Sequence, residues 1–109
     1  MDNDVAIEAF AALAHETRLA IFQLLVREEP HALPAGEISR RLQIVPSTLS
    51  SHLGVLKRAR LLKSERHRRE IHYSSDLSTI NRMIGFMLED CCNGQLENCS
   101  EILSFLDRA

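Results

Sequence analysis

Tryptophan is missing from this 109-residue chain, tyrosine occurs once, and aromatic residues make up only 5% of it. Apolar residues are 45% of the total, so the core must be mainly aliphatic. A single domain of this length can bury a modest core. No apolar run approaches the ~18 residues of a membrane-spanning helix. The first residues, Met1-Asp-Asn-Asp4, are acidic and unlike a secretory leader. A soluble cytoplasmic protein is expected. No internal repeat, low-complexity segment, catalytic triad, phosphate loop or paired-carboxylate site is present, so an enzyme is not expected. Cysteine does not occur before position 91.

Positive charge is also scarce overall, since the formal net charge is −2. Its distribution matters more than its sum. Residues 40–72 hold nine lysines and arginines against Glu65 and Glu70, a local excess of seven positive charges. The remainder holds four basic and thirteen acidic residues. A basic face on an acidic body is a usable footprint for phosphates. Taken one by one, such charges are ordinary solvated side chains. Their concentration on one segment gives them meaning.

That segment carries a pattern. Gly36–Leu42 reads as a short helix, Gln43–Pro46 as a turn, and Ser47–Ala59 as a longer helix. Leu49, Leu53 and Leu56 recur at i, i+4 and i+7, one buried stripe. Ser47, Thr48, Ser50, Ser51 and His52 fall largely on the other faces. Short polar groups at a helix start suit a recognition helix, whose first turns reach base edges in the major groove. The same pattern would also suit an ordinary two-helix corner. The next fifteen residues favour the recognition helix. Leu61–Arg66 and Glu70–Ser74 read as two strands with His67-Arg68-Arg69 as a basic tip between them. A helix-turn-helix followed by a basic hairpin is a winged helix, mainly α with a small β-hairpin. Its wing meets phosphates or the minor groove. The expected DNA contacts are Ser47, Thr48, Ser50, Ser51, His52, Lys57, Arg58, Arg66, His67, Arg68 and Arg69.

Three further helices complete the domain, which is expected to span residues 1–90. Val5–Ala14 has Ala6, Phe10 and Leu13 on one stripe with Ala9 and Ala12 beside it. Glu16–Val26 has Leu19, Phe22 and Val26 on one face, with Ile21, Leu24 and Leu25 close by. It is apolar around much of its circumference, which marks a central core helix. Residues 28–34 read as a loop. Asp76 is placed to cap a last helix reaching about Asp90. Its stripe is Leu77, Ile80, Ile84, Met87 and Leu88, widened by Met83 and Phe86. That is more apolar surface than a small core needs, so the first and last helices are expected to form a homodimer surface.

Leu13-Ala-His-Glu-Thr-Arg-Leu-Ala-Ile-Phe-Gln-Leu-Leu25 resembles the opening motif of the ArsR/SmtB family of bacterial metal-responsive repressors. Glu37–Leu42 and Ser47–Leu56 resemble its helix-turn-helix, and the wing and following helix match in order over residues 5–90. The resemblance implies a homodimeric winged-helix repressor that leaves its operator DNA when an inducer binds. Two familiar inducer sites of that family are missing. Gly36–Leu42 holds no cysteine, and the last helix has Asp76 but no histidine. The family's glycine-containing wing tip is replaced by His67-Arg68-Arg69.

All three cysteines lie in Cys91-Cys92-Asn-Gly-Gln-Leu-Glu-Asn-Cys99, within a tail of residues 91–109. Metal–sulfur bonds of about 2.3 Å require sulfurs within roughly 4 Å of one another. In a continuous helix, residues eight apart lie about 12 Å apart along the axis. Asn93-Gly94 supplies the stop and reversal that would bring Cys99 back to the pair. Soft thiolates favour soft ions. Three thiolates without a fourth ligand fit trivalent arsenic better than tetrahedral zinc. The pattern resembles arsenite-responsive repressors with cysteines beyond the last helix. Arsenite is the expected ligand of Cys91, Cys92 and Cys99, and whether antimonite also induces stays open. Other readings stay open: oxidation of these thiols in a redox sensor, cysteines that merely extend an apolar stripe and cap a helix, or a small thiol enzyme or arsenic carrier. The last would need an oxyanion cradle, and no Gly-rich or Arg-bearing loop adjoins the cysteines.

Overall fold

A computed structural model describes residues 1–91, with side chains through Leu88. The order of elements is α1 (Asn3–Leu13), α2 (Glu16–Glu28), β1 (Leu33–Pro34), α3 (Ala35–Leu42), α4 (Pro46–Arg58), β2 (Leu62–His67), β3 (Glu70–Ser75) and α5 (Leu77–Cys91). Expected boundaries shift by one or two residues. One element is new: the expected loop over residues 28–34 contributes β1. Instead of a bare hairpin the chain builds a three-stranded antiparallel sheet in the order β1-β3-β2. Leu33 pairs with Tyr73 and Pro34 with His72. A strand of two residues, one of them proline, has no alternation to betray it.

The core is aliphatic. Ile21, Leu25, Ile38, Leu49, Leu56 and Leu61 are its largest fully buried apolar side chains. The Leu49, Leu53 and Leu56 stripe is buried as its spacing requires. Three other helices turn differently from their patterns. On α1 the alanines Ala6, Ala9 and Ala12 face inward, while Phe10 and Leu13 are only partly buried against the core. Small side chains let α1 lie close to α2 and α4. On α2 the buried set is Ile21, Phe22, Leu24 and Leu25, whereas Leu19 is 42% exposed. On α5 it is Met83, expected as part of the excess apolar surface, that reaches the core, while Leu77 and Met87 remain exposed.

Polar groups fix the joints. Asp76 caps α5 by accepting from the Ser78 backbone N–H at 3.2 Å. The Thr79 hydroxyl donates to the Arg60 carbonyl, tying α5 to the turn between α4 and β2. Arg60 holds that turn with φ 63°. Ser75 donates to Glu29 at 2.8 Å, 46 residues away in sequence. Arg18 donates from Nε to the Ala12 carbonyl at 2.6 Å and from a guanidinium NH2 to the Ala11 carbonyl at 3.3 Å. These carbonyls belong to the last turn of α1, and that of Ala11 also accepts from the Ala14 N–H at 3.2 Å.

Candidate nucleic-acid interface

The turn between α3 and α4 is built by Gln43 and Ser39. Gln43 adopts φ 54°, a left-handed helix cap. The Ile44 N–H donates to the Ser39 carbonyl at 3.1 Å, and the Ser39 hydroxyl donates back to the Ile44 carbonyl. Pro46 then starts α4, where its missing N–H is not needed. No side chain caps that end.

On α4 the buried leucines anchor one face, so the opposite face is dictated. Ser47, Ser51 and Arg58 are exposed there, and Gly54 lies on the same line. A terminal guanidinium nitrogen of Arg58 lies 3.4 Å from where a Gly54 side chain would begin. Arg58 therefore folds back along the serine line instead of pointing away from it. Thr48, Ser50 and Lys57 are exposed on its flanks. His52 is placed elsewhere. It is half-buried against His15, with ring centroids 4.7 Å apart. Burial, followed by the nearby His15 and Arg18, pushes its pKa below the ordinary value of 6.5. One exposed side chain has no counterpart among the expected contacts. Val45, the residue before Pro46, is 65% exposed. An apolar group at the head of a reading helix can meet a thymine methyl. An isolated valine in a turn carries no periodic signal by which a sequence could show it.

The wing is formed by β2 and β3 in the register Leu62↔Ser75 through His67↔Glu70. Arg68 and Arg69 alone make the reversal, so His67 belongs to the strand and not to the tip. Arg68 carries φ 61°. A side chain is unusual in this conformation, which commonly falls to glycine in hairpin turns. The register puts Glu65, His67, Glu70 and His72 on one face. His67 lies 3.6 Å from Glu65 and His72 lies 3.2 Å from Glu70. The two rings approach to 4.4 Å between centroids. Arg66 Nε donates to the Arg68 carbonyl at 3.3 Å. Arg66, His67, Arg68, Arg69, Glu70 and His72 line a concavity of about 740 Å³ at the wing.

The basic segment is less uniform than its charge count implies. Glu37 holds Arg40 and, at 2.8 Å, Arg41, and Arg41 also meets Glu28 at 3.1 Å. Hydrogen bonds from Arg40 and Arg41 pull the Glu37 carboxyl down to about 2. Both arginines are thus partnered on α3, by a carboxylate just outside the 40–72 segment. Lys57, Arg58, Arg66, Arg68 and Arg69 have no salt bridge among the described residues. They supply the field available to phosphate. No three His, Cys, Asp or Glu side chains among the described residues are placed to hold a metal ion. Cys92 and Cys99 lie outside the described residues, and of Cys91 only the backbone at the end of α5 is described. No single described helix is long and apolar enough to cross a membrane.

These positions separate two kinds of contact. Replacing Arg68 and Arg69 with alanine should weaken binding to every DNA sequence alike and flatten the dependence of affinity on salt, by about one unit of slope for each phosphate no longer met. Replacing Ser51 should instead change which sequence is preferred, by ~1–3 kcal/mol where it reads a base well. Anisotropy titrations over a salt series with two different duplexes measure both. A wing variant that changed sequence preference, with salt dependence intact, would contradict this assignment.

Residues 13–65 match a family described as a helix-turn-helix domain. Two Bacillus subtilis proteins are similar to the chain. The uncharacterized HTH-type transcriptional regulator YbzH is 32% identical over 93 residues, covering 74% of this chain and 93% of its own. The transcriptional repressor SdpR is 30% identical over 79 residues, covering 72% and 84%. Two solved structures share the fold. An ArsR-like transcriptional regulator from Rhodococcus superposes with a TM-score of 0.71 at 24% identity, over 94% of this chain and 92% of the other. The homodimeric winged helix-turn-helix DNA-binding domain of Mycobacterium bovis Mb0332 does so with a TM-score of 0.65 at 21% identity, over 87% and 84%. Fold, site and relatives define a winged helix-turn-helix transcription regulator, which is not an enzyme. Among such regulators, the chain belongs with the HTH-type transcriptional regulators that are its relatives at 30% identity or more.

Proposed function

We propose that the protein is a cytoplasmic homodimeric repressor that occupies a two-fold operator and leaves it when trivalent arsenic binds Cys91, Cys92 and Cys99. The observation that carries the DNA-reading part is the exposed line Ser47, Ser51, Gly54 and Arg58, backed by a fully buried leucine stripe. Repression is supported by the similarity to SdpR, a transcriptional repressor. Dimer formation is supported by apolar side chains left on α1 and α5, Ile7 at 61% and Met87 at 48% exposed. The homodimeric Mycobacterium domain adds to that support. Two reading helices related by a two-fold axis would meet half-sites about one turn, ~34 Å, apart.

The inducer part rests on the sequence. Three soft ligands cluster in nine residues with a reversal signal between them, and the described part of α5 reaches the first of them. Arsenic would draw the tail and the end of the proposed dimer helix into one arrangement. It can shift the DNA-bound population only by its differential affinity for the two states, and DNA must then weaken arsenic binding by the same factor. The test is release from the protein's own upstream DNA as arsenite is added. Cys91→Ser, Cys92→Ser and Cys99→Ser should each impair release while sparing DNA binding without ligand. The adjacent pair should matter most, because two neighbouring thiolates still hold arsenic weakly without Cys99. Release of all three variants at the wild-type arsenite concentration would sink the site. Loss of DNA binding without ligand would make the cysteines structural. Release caused by peroxide, and not by arsenite, would favour the redox reading.

A further inference from the structure

Where α1 meets α2, histidine occupies a position that usually falls to Ser, Thr, Asp or Asn. His15 is the N-cap of α2, and its Nδ1 accepts from the Thr17 N–H at 3.1 Å. That bond exists only while Nδ1 is unprotonated, since an imidazolium has two donors and no acceptor. A protonated cap would also set positive charge against the positive end of the α2 dipole. The His15 ring lies against His52, 4.7 Å between centroids with planes tilted by 47°. His52 is on the side of α4 away from the serine line, where α4 packs against α1 and α2. The charged groups acting on His52 are His15 and Arg18. Arg18 is itself held on the carbonyls of Ala11 and Ala12. Glu16 stands in the first turn of α2 and makes no salt bridge to either ring among the described residues. Among the described residues, no carboxylate forms a salt bridge with either ring.

We propose that His15 and His52 are positioning residues that seat the reading helix against the α1–α2 corner and make operator binding acid-sensitive. The inference rests on the operator-binding reading above. Imidazole is the side chain that ordinarily gains its proton between about pH 5 and 8. A proton on His15 removes the α2 cap. A proton on His52 places a cation in a half-buried site facing His15 and Arg18. Burial and those same neighbours disfavour the charged form of His52 in the seated state. The seated state therefore binds protons less readily than the unseated one and is favoured above the ordinary imidazole value. It is lost as pH falls below that value. Since α4 carries the base-reading side chains, loosening its seat weakens sequence-specific binding. The wing gives the opposite sign. Protons on His67 or His72 would add positive charge beside phosphate and tighten binding.

The probe is a duplex selected by the protein itself from a random pool at neutral pH. Its affinity is measured by anisotropy near pH 7.5 and near pH 5.8 at fixed ionic strength. Wild-type affinity should fall about tenfold on acidification, within the usual range for coupled equilibria. His15→Asp keeps a cap at both pH values and His52→Gln cannot gain charge. The double variant, whatever its affinity at the higher pH, should change by less than about twofold between the two pH values. Should the double variant fold poorly by circular dichroism, His15→Asn, a cap that does not titrate, carries the test alone through partial loss of the pH effect. Equal acid sensitivity in wild type and variants overturns the inference, as does tighter wild-type binding in acid. Binding that is strong and flat with pH overturns this inference only. Binding to no duplex at either pH overturns the operator reading along with it.

Discussion

Ile7→Glu combined with Met87→Glu should leave the protein monomeric and lower its operator affinity by about 10²–10⁴-fold, the range that linking two binding modules confers. The two side chains sit on different helices, α1 and α5, and both are largely exposed in the single chain. Val5 and Leu77 are exposed on the same two helices, at 45% and 42%. Water against that much apolar surface is unfavourable by roughly 25 cal/mol per Å², and pairing two copies removes it. Two carboxylates at the centre of such a patch would each be stripped of water without a partner. The reading head should be untouched, since neither residue belongs to α3, α4 or the wing. Each monomer should therefore keep its weak, salt-sensitive affinity for unrelated DNA. Sedimentation velocity and anisotropy on the same preparations decide the matter. A variant that stays dimeric at micromolar concentration places the interface elsewhere. A monomer with wild-type operator affinity removes the need for a dimer.

Leu56→Ala should destabilise the fold by about 2–5 kcal/mol, read as a shift in the urea midpoint at constant slope. Leu56 is fully buried and belongs to the core cluster with Ile21, Leu25, Ile38 and Leu61. Few large aromatic neighbours are present to relax into the space its truncation leaves. A domain of about a hundred residues is stabilised by only ~5–15 kcal/mol in all, so the loss is a sizeable fraction. Ser51→Ala on the exposed face of the same helix should change stability by no more than about 0.5 kcal/mol. A cost below about 1 kcal/mol for Leu56→Ala would mean that the stripe is not the anchor of α4.

The helix-turn-helix is legible in the sequence because its leucines recur at a period that only one face of a helix can satisfy. The wing is legible because two short runs flank a basic tip. The burial of α2 is not. That helix is apolar around most of its circumference, so periodicity has no contrast to work with and sets Leu19 and Val26 among the inward residues. The structure leaves both exposed. On α1 the size of a side chain matters more than its hydrophobicity. Alanines take the close contacts, and Phe10 settles at the margin. Met83 reaches the core because α5 is fixed at its N-terminus by Thr79 on the Arg60 carbonyl, a contact across 19 residues with no local trace. Charge counting misses Glu37 for a related reason. A window drawn by sequence position excludes a carboxylate three residues before Arg40, although one turn of helix brings them together. His52 looks like a base reader from its place among serines, and only the corner at His15 shows its other use.

Among the described residues, the order β1-β3-β2 leaves β2 with one edge that no strand covers. Such an edge offers unpaired backbone groups to any other extended chain, which is how sheets grow between molecules and proteins clump. Lys63, Glu65, Arg66 and His67 stand exposed along it. To add a strand there, a neighbour would have to strip water from a row of long charged groups. The charged side chains of the wing thus also guard the protein against polymerising through its own sheet. At high protein concentration the chain is spared one route to aggregation.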